Sequence, residues 1–219
     1  MRVLLFGATG MVGQGVLREC LLDPDVQRVL AVGRGSIGKR DEKLRELVLP
    51  DVADLSDVEA QLSGFDACFF CLGVSSVGMS EERYTRLTYD LTLSVAQTLA
   101  RLNPGMTFVY VSGTGTDSSE RGRTMWARVK GRTENALLRL PFKAAYMFRP
   151  AAIVPMHGVR SKTGWYRALY ALMTPFYPAL KALFPNGITT TERVGRAMLA
   201  VARRGYSKPV LETPDINSL

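Results

Sequence analysis

Histidine is almost missing from this sequence: His157 is the only one in 219 residues. A single imidazole with no Asp or Glu cluster beside it argues against a histidine-built metal centre, so no metal site is expected. His157 reads as a passive residue of the loop Pro155-Met156-His157-Gly158. Cysteine is scarce as well, with only Cys20, Cys68 and Cys71. An odd count without a spacing framework argues against a disulfide-built fold. Cys68-Phe69-Phe70-Cys71 has redox-motif spacing, yet it sits in an apolar run that reads as a strand. Residues three apart on a strand face opposite sides, so two ordinary thiols are expected there. Long basic runs are absent too. The net charge of +8 is large, but no stretch of Lys and Arg exceeds two residues. Dispersed positive charge suits a solvated surface or phosphate-bearing ligands better than nucleic acid. The longest apolar stretch, residues 165–184, is interrupted by Arg167, Pro175, Pro178 and Lys181. That speaks against a membrane span. The N-terminus opens on a short apolar strand and not on a secretory leader, so cytoplasmic placement is expected.

A hydrophobic fraction of 47% and a charged fraction of 22% describe a globular chain. The length suits one α/β domain, residues 1–219, better than two. Strands are predicted over residues 2–6, 26–32, 43–49, 67–72, 107–111 and 143–148, with a short last one over 209–212. Helices are predicted over residues 10–22, 55–62, 80–102 and 125–140. Asp23-Pro24 stops the first helix, because proline disfavours a helical residue before it. Ser80 is placed to cap the long helix, and Asn103-Pro104-Gly105 to end it. Thr189-x-x-Glu192 matches a capping box that starts a final helix running to residue 203. Residues 155–190 turn aromatic and helical and read as a small substrate-side lobe on the same domain. Strands alternating with helices imply parallel β-α-β units. The expected fold is α/β: a doubly wound, mainly parallel sheet of Rossmann type with helices on both faces.

The turn after the first strand reads Gly7-Ala8-Thr9-Gly10-Met11-Val12-Gly13 and opens the first helix. That position gives the motif its meaning. Gly7 permits a tight turn, Gly10 lets backbone approach a pyrophosphate, and Gly13 lets the helix pack close to the sheet. Ala8, Thr9, Met11 and Val12 complete the turn, and the helix N-terminus offers free N–H groups to an anion. A dinucleotide fits these features. The end of the second strand then selects between cofactors, since an acid there holds the ribose hydroxyls of NAD. This chain has Val32-Gly33-Arg34-Gly35-Ser36 instead, with no carboxylate at that point. Arg34, with Lys39 or Arg40 in support, suits a 2′-phosphate that an acid would repel. NADP(H) is therefore favoured over NAD(H). The competing reading of Arg34 is a solvated turn residue.

The glycine turn, Val32-Gly33-Arg34, Cys71-Leu72-Gly73, Val111-Ser112, Val129-Lys130-Gly131 and Phe148-Arg149-Pro150 occur in this order along nearly the whole chain. Together they resemble the atypical branch of the short-chain dehydrogenase/reductase superfamily. Within it they are similar to the small NAD(P)-binding proteins of the Tat-interacting-protein and nucleoside-diphosphate-sugar-epimerase-like group. The resemblance implies a Tyr-x-x-x-Lys pair with an upstream serine, passing a proton to or from a substrate oxygen as hydride moves. Ser112 matches the serine. Lys130 matches the lysine, which in the family binds the nicotinamide ribose and lowers the tyrosine pKa. The position four before Lys130 is Trp126. An indole N–H donates a hydrogen bond but is no general acid near neutral pH. The resemblance also implies adenine contacts at Asp54 and Leu55, and cofactor contacts along Cys71, Leu72 and Gly73. It places Pro150, Ala151 and Ile153 near the nicotinamide, although Leu72 and Ile153 read equally well as core. Asp117, Ser118 and Ser119 are candidate substrate-loop residues.

Three functions fit. The first is an NADP(H)-dependent oxidoreductase acting on a small carbonyl or alcohol with altered acid/base machinery. The second is a non-catalytic dinucleotide-binding sensor, which Trp126 favours. The third is an interaction protein using residues 165–184. A homo-oligomer is compatible with each.

Overall fold

The computed structural model describes residues 1–159 and 187–219. Seven strands form one sheet: β1 (Arg2–Phe6), β2 (Arg28–Gly33), β3 (Leu44–Val48), β4 (Ala67–Phe70), β5 (Thr107–Val111), β6 (Ala144–Arg149) and β9 (Val210–Glu212). They run in the order β3-β2-β1-β4-β5-β6-β9, and every neighbouring pair is parallel. The order reverses between β1 and β4, which opens a crevice at the strands' carboxyl ends. A second, two-stranded sheet pairs β7 (Ala152–Val154) with β8 (Ile188–Thr190). That small sheet was not expected from the sequence, because three-residue strands carry no readable period.

The central strands are apolar on both faces because both faces are covered. Val3, Leu5, Phe69, Val109 and Phe148 pack on one side with α1 (Met11–Leu22) and α5 (Thr191–Arg204). Leu4, Phe6, Phe70, Phe108 and Met147 pack on the other with Val95, Ala96 and Leu99 of α3 (Leu91–Leu102). The sheet is thus covered on both faces, as the sequence implied. Further helices are α2 (Glu81–Thr85), α4 (Met125–Leu137) and α6 (Thr213–Ser218), and Ser56–Leu62 forms a 3-10 turn.

Ser80 caps α2, its hydroxyl accepting from Arg83 N–H at 3.3 Å. Buried Asn103 ends α3, where its side chain accepts from Phe65 N–H at 3.0 Å and donates to Leu62 O at 2.9 Å. The expected single helix over 80–102 contains a π turn at Arg86–Asp90, which apolar spacing alone does not reveal. The cap of α5 is Thr190, which accepts from Arg193 N–H at 3.1 Å, and not Thr189. Thr189 and Thr190 both pair in the small sheet, with Ile153 and Val154, and Thr190, the last residue of β8, directly precedes α5. Residues 160–186, most of the expected lobe and all of the apolar stretch 165–184, lie outside the described residues. No helix among the described residues is long and apolar enough to cross a membrane.

Candidate functional site

The glycine turn is built by close backbone approach. Gly7 has φ +83°, and a Cβ on it would stand 2.7 Å from Cys71 C. A Cβ on Gly13 would stand 2.1 Å from Gly7 O. Gly10 N–H donates to Gly7 O at 2.9 Å, which closes the turn. Gly10 then begins α1 with no side-chain cap and no acid in the first turn. The N–H groups of Met11, Val12 and Gly13 therefore lack intrahelical partners and sit at the positive end of the helix dipole. This cradle, too tight for a side chain at Gly7 or Gly13, fits a pyrophosphate.

A cleft of about 410 Å³ opens beside the turn. Gly7, Ala8 and Thr9 line one side, Arg34 and Ser36 the mouth, and Leu72 the side towards β4. Arg34 is exposed and has no hydrogen-bond or ion-pair partner among the described residues. One carboxylate lines the cleft: Glu46 of β3, which accepts from Ile37 N–H at 2.8 Å. Sequence reading missed it, because the search for an acid stopped at the end of β2. The signal was the lone acid between Leu44 and Leu47. Two expected adenine contacts do not line this cleft. Leu55 is buried in the core, and exposed Asp54 turns to Ser56, accepting from its hydroxyl at 2.7 Å. Those hydrogen bonds hold the Asp54 carboxyl below the usual range. Cys71 donates its backbone N–H to Phe6 O at 2.9 Å, and Gly73 is exposed just beyond β4.

Ser112 and Lys130 meet at the carboxyl end of β5. Lys130 Nζ donates to Ser112 O at 3.0 Å and lies 5.5 Å from the centre of the Tyr110 ring. Helix α4 reaches this position because Gly131 lets it lie against the chain at Asp117, where a Cβ would fall 1.8 Å from Asp117 O. Burial of the amine pulls the Lys130 pKa down to about 8, against the opposing pull of the Glu134 carboxylate. Ser112 Oγ is 2.8 Å from Thr116 Oγ1, and the Thr116 hydroxyl donates to Gly113 O at 2.7 Å. A hydroxyl has one proton, so between the two it is Ser112 that donates. Ser112 Oγ thus keeps its lone pairs for another donor.

Trp126 is half-buried and packs on the turn before it, where a Cβ on Gly115 would stand 3.5 Å from its ring. Tyr84 and Tyr110 are buried, and burial raises both pKa values above the ordinary tyrosine value. Tyr89 is covered by the Arg132 guanidinium at 4.2 Å. Pro150 O accepts from Thr114 N–H at 3.1 Å, which ties the segment after β6 to the Ser112 loop. Ile153 is buried in β7.

Other singled-out residues are engaged in the fold. Asp117 holds its own loop, accepting from the Ser119 hydroxyl at 2.6 Å and from Gly122 N–H at 2.6 Å. Ser118 Oγ accepts from Arg149 at 2.6 Å. Arg149 also grips Glu134 through both carboxylate oxygens, its Nε lying 3.0 and 3.1 Å from them. Glu134 lies one turn after Lys130, and sequence reading passed over it. His157 has a partner, with Nε2 2.7 Å from Glu192 Oε2. The thiols of Cys20, Cys68 and Cys71 are free, and no group of metal-ligating side chains forms among the described residues.

The sheet order, the glycine turn and the cleft at the switch point define a protein of the Rossmann class. The chain belongs to the NAD dependent epimerase/dehydratase family, whose model matches residues 3–122. It is 26% identical over 154 residues to Protein HTATIP2 of Rattus norvegicus, covering 69% of this chain and 62% of that protein. It is 28% identical over 158 residues to the mitochondrial Protein fmp52 of Emericella nidulans, covering 69% of this chain and 66% of that protein. The chain therefore spans under two thirds of these relatives' length. Among solved structures, the Bordetella bronchiseptica enzyme WbmF in complex with NAD+ superposes with TM-score 0.68 at 17% identity, over 99% of this chain and 76% of that one. UDP-glucose 4-epimerase of Thermotoga maritima superposes with TM-score 0.69 at 15% identity, over 100% and 81%.

Proposed function

We propose that residues 1–219 act as one NADP(H)-dependent oxidoreductase unit on a small carbonyl or alcohol, with an altered active site. The observation that carries this reading is the junction of Lys130 with Ser112 just after β5, at the same carboxyl edge of the parallel sheet as the glycine turn that follows β1. The turn from Gly7 to Val12 would hold the pyrophosphate, Arg34 the 2′-phosphate, and Lys130 the nicotinamide ribose. When bound, the nicotinamide supplies or accepts hydride. Ser112 would meet the substrate oxygen. Its lone pairs accept from an alcohol without rearrangement, whereas donating to a carbonyl requires its proton to leave Thr116. Unpaired Arg34 supports the choice of NADP(H). By fluorescence titration, NADPH should bind about tenfold or more tighter than NADH, since a charge-assisted hydrogen bond contributes about 1.5–3 kcal/mol. Arg34→Ala should bring the two together. Equal affinities in the unmodified protein would count against the assignment.

Lys130 sets the pH dependence. With its pKa at about 8, the amine is a cation below that value and neutral above it. If the cation is what holds cofactor and oxygen, kcat/KM is level on the acid side and falls as pH rises through about 8. Lys130→Arg keeps the charge and should move that fall to higher pH, while Lys130→Ala should lower kcat/KM by about 10²-fold or more. A flat profile in the unmodified protein would contradict the role.

Trp126 favours a second reading, a sensor that binds dinucleotide without turnover. Trp126→Tyr separates the two. Reductase activity appearing only in the variant shows that the tryptophan silences the site, whereas turnover in the unmodified protein dismisses the sensor. For location we propose the cytoplasm. The FMP52 relatives are named as mitochondrial, and cell fractionation decides between the two.

A further inference from the structure

The loop after β2 is held at one residue, Ile37, whose side chain packs on the core. Residues 34–40 include Gly35 and Gly38, and all but Ile37 are exposed. Within the loop, Gly38 N–H donates to Ser36 Oγ at 3.1 Å. Among the described residues, one hydrogen bond joins residues 34–40 to the rest of the chain: Ile37 N–H to Glu46 Oε2 at 2.8 Å. The pairing of β2 with β3 sets Glu46 opposite Ala31, so its carboxylate rises into the cleft and meets the returning loop. It is also the one acid on a cleft wall whose mouth carries unpaired Arg34.

We propose that Glu46 is a positioning residue for cofactor selection, tethering this loop so that Arg34 and Ser36 stay at the cleft mouth. The proposal rests on the NADP(H) reading above. An unpartnered arginine on a glycine-rich loop samples many positions, and each lost position costs entropy on binding. A tether at Ile37, three residues from Arg34, removes part of that cost before the 2′-phosphate arrives. The tether needs an acceptor oxygen and not a charge. Glutamine can accept the same N–H, and alanine cannot.

The test compares the unmodified protein with Glu46→Gln and Glu46→Ala, measuring Ile37 amide exchange without cofactor and the dissociation constants of NADPH and NADH. Glu46→Ala should speed Ile37 exchange and lower the NADPH-over-NADH preference, each by about tenfold. Glu46→Gln should restore both close to the unmodified values. An unchanged exchange rate in Glu46→Ala overturns the tether. A Glu46→Gln protein as unselective as Glu46→Ala also overturns it, because an acceptor oxygen at this position would then not be what holds the loop. If the unmodified protein binds both cofactors equally, the NADP(H) reading fails and the selective role with it. If it prefers NADPH and that preference survives Glu46→Ala, the reading stands and the positioning role alone falls.

Discussion

Gly13→Ala is expected to raise the dissociation constant for the dinucleotide by about 100-fold, the equivalent of some 3 kcal/mol, the upper end of ordinary overpacking costs. The new Cβ would stand 2.1 Å from Gly7 O and 3.0 Å from Ala8 Cα. Both neighbours are backbone, so neither can rotate away as a side chain would. Helix α1 must back off from the turn, and the N–H groups of its first residues move with it. Gly10→Ala should disturb the fold less yet weaken binding too, because its methyl stands where backbone approaches the pyrophosphate. Its Cβ would meet Gly7 O at 3.3 Å, a contact that a shift of a few tenths of an ångström relieves. Circular dichroism establishes whether each variant is folded before titration. A folded Gly13→Ala protein that binds with unmodified affinity would show that the turn is not the phosphate cradle.

Arg149→Met should cost about 3–5 kcal/mol of stability, the usual consequence of removing one partner of a buried ion pair. Glu134 is 1% exposed and Arg149 11%, and the guanidinium holds both carboxylate oxygens. Without it a charged carboxylate remains in the interior. At about 2–4 °C per kcal/mol for a chain of this size, the melting temperature should fall by roughly 10 °C. Replacing both residues, as in Glu134→Leu with Arg149→Met, should recover most of the loss, as apolar substitutes for buried pairs often do. Thermal melts of the two single variants and the double variant decide the matter. An Arg149→Met protein as stable as the unmodified one would show that the pair is hydrated. The pair also lies next to the site. Glu134 is one turn from Lys130, and Arg149 reaches Ser118 and directly precedes Pro150.

What was readable in the sequence was what depends on neighbours in the chain. Gly7, Gly10 and Gly13 announce a turn because the backbone forbids other residues there. Strands β1, β4 and β5 announce themselves as short apolar runs because they are buried on both faces. Ser80 and Asn103 mark helix ends through hydrogen bonds to groups close by or at the helix terminus. Trp126, four residues before Lys130, is legible in the same way, and the proposed departure in the proton relay rests on it. Tertiary structure decided what depends on register and on approach between distant segments. Parallel pairing, not composition, put Glu46 in the cleft and left Leu55 in the core. The two-stranded sheet runs through Thr190 and ends there, which sets the cap of α5 one residue beyond Thr189. Contact between α4 and the end of β5 joined Lys130 to Ser112, and that contact depends on where Gly131 meets Asp117. Such pairings join residues separated by many positions. No local period encodes them, and they exist only once the sheet has set which chain segments lie side by side.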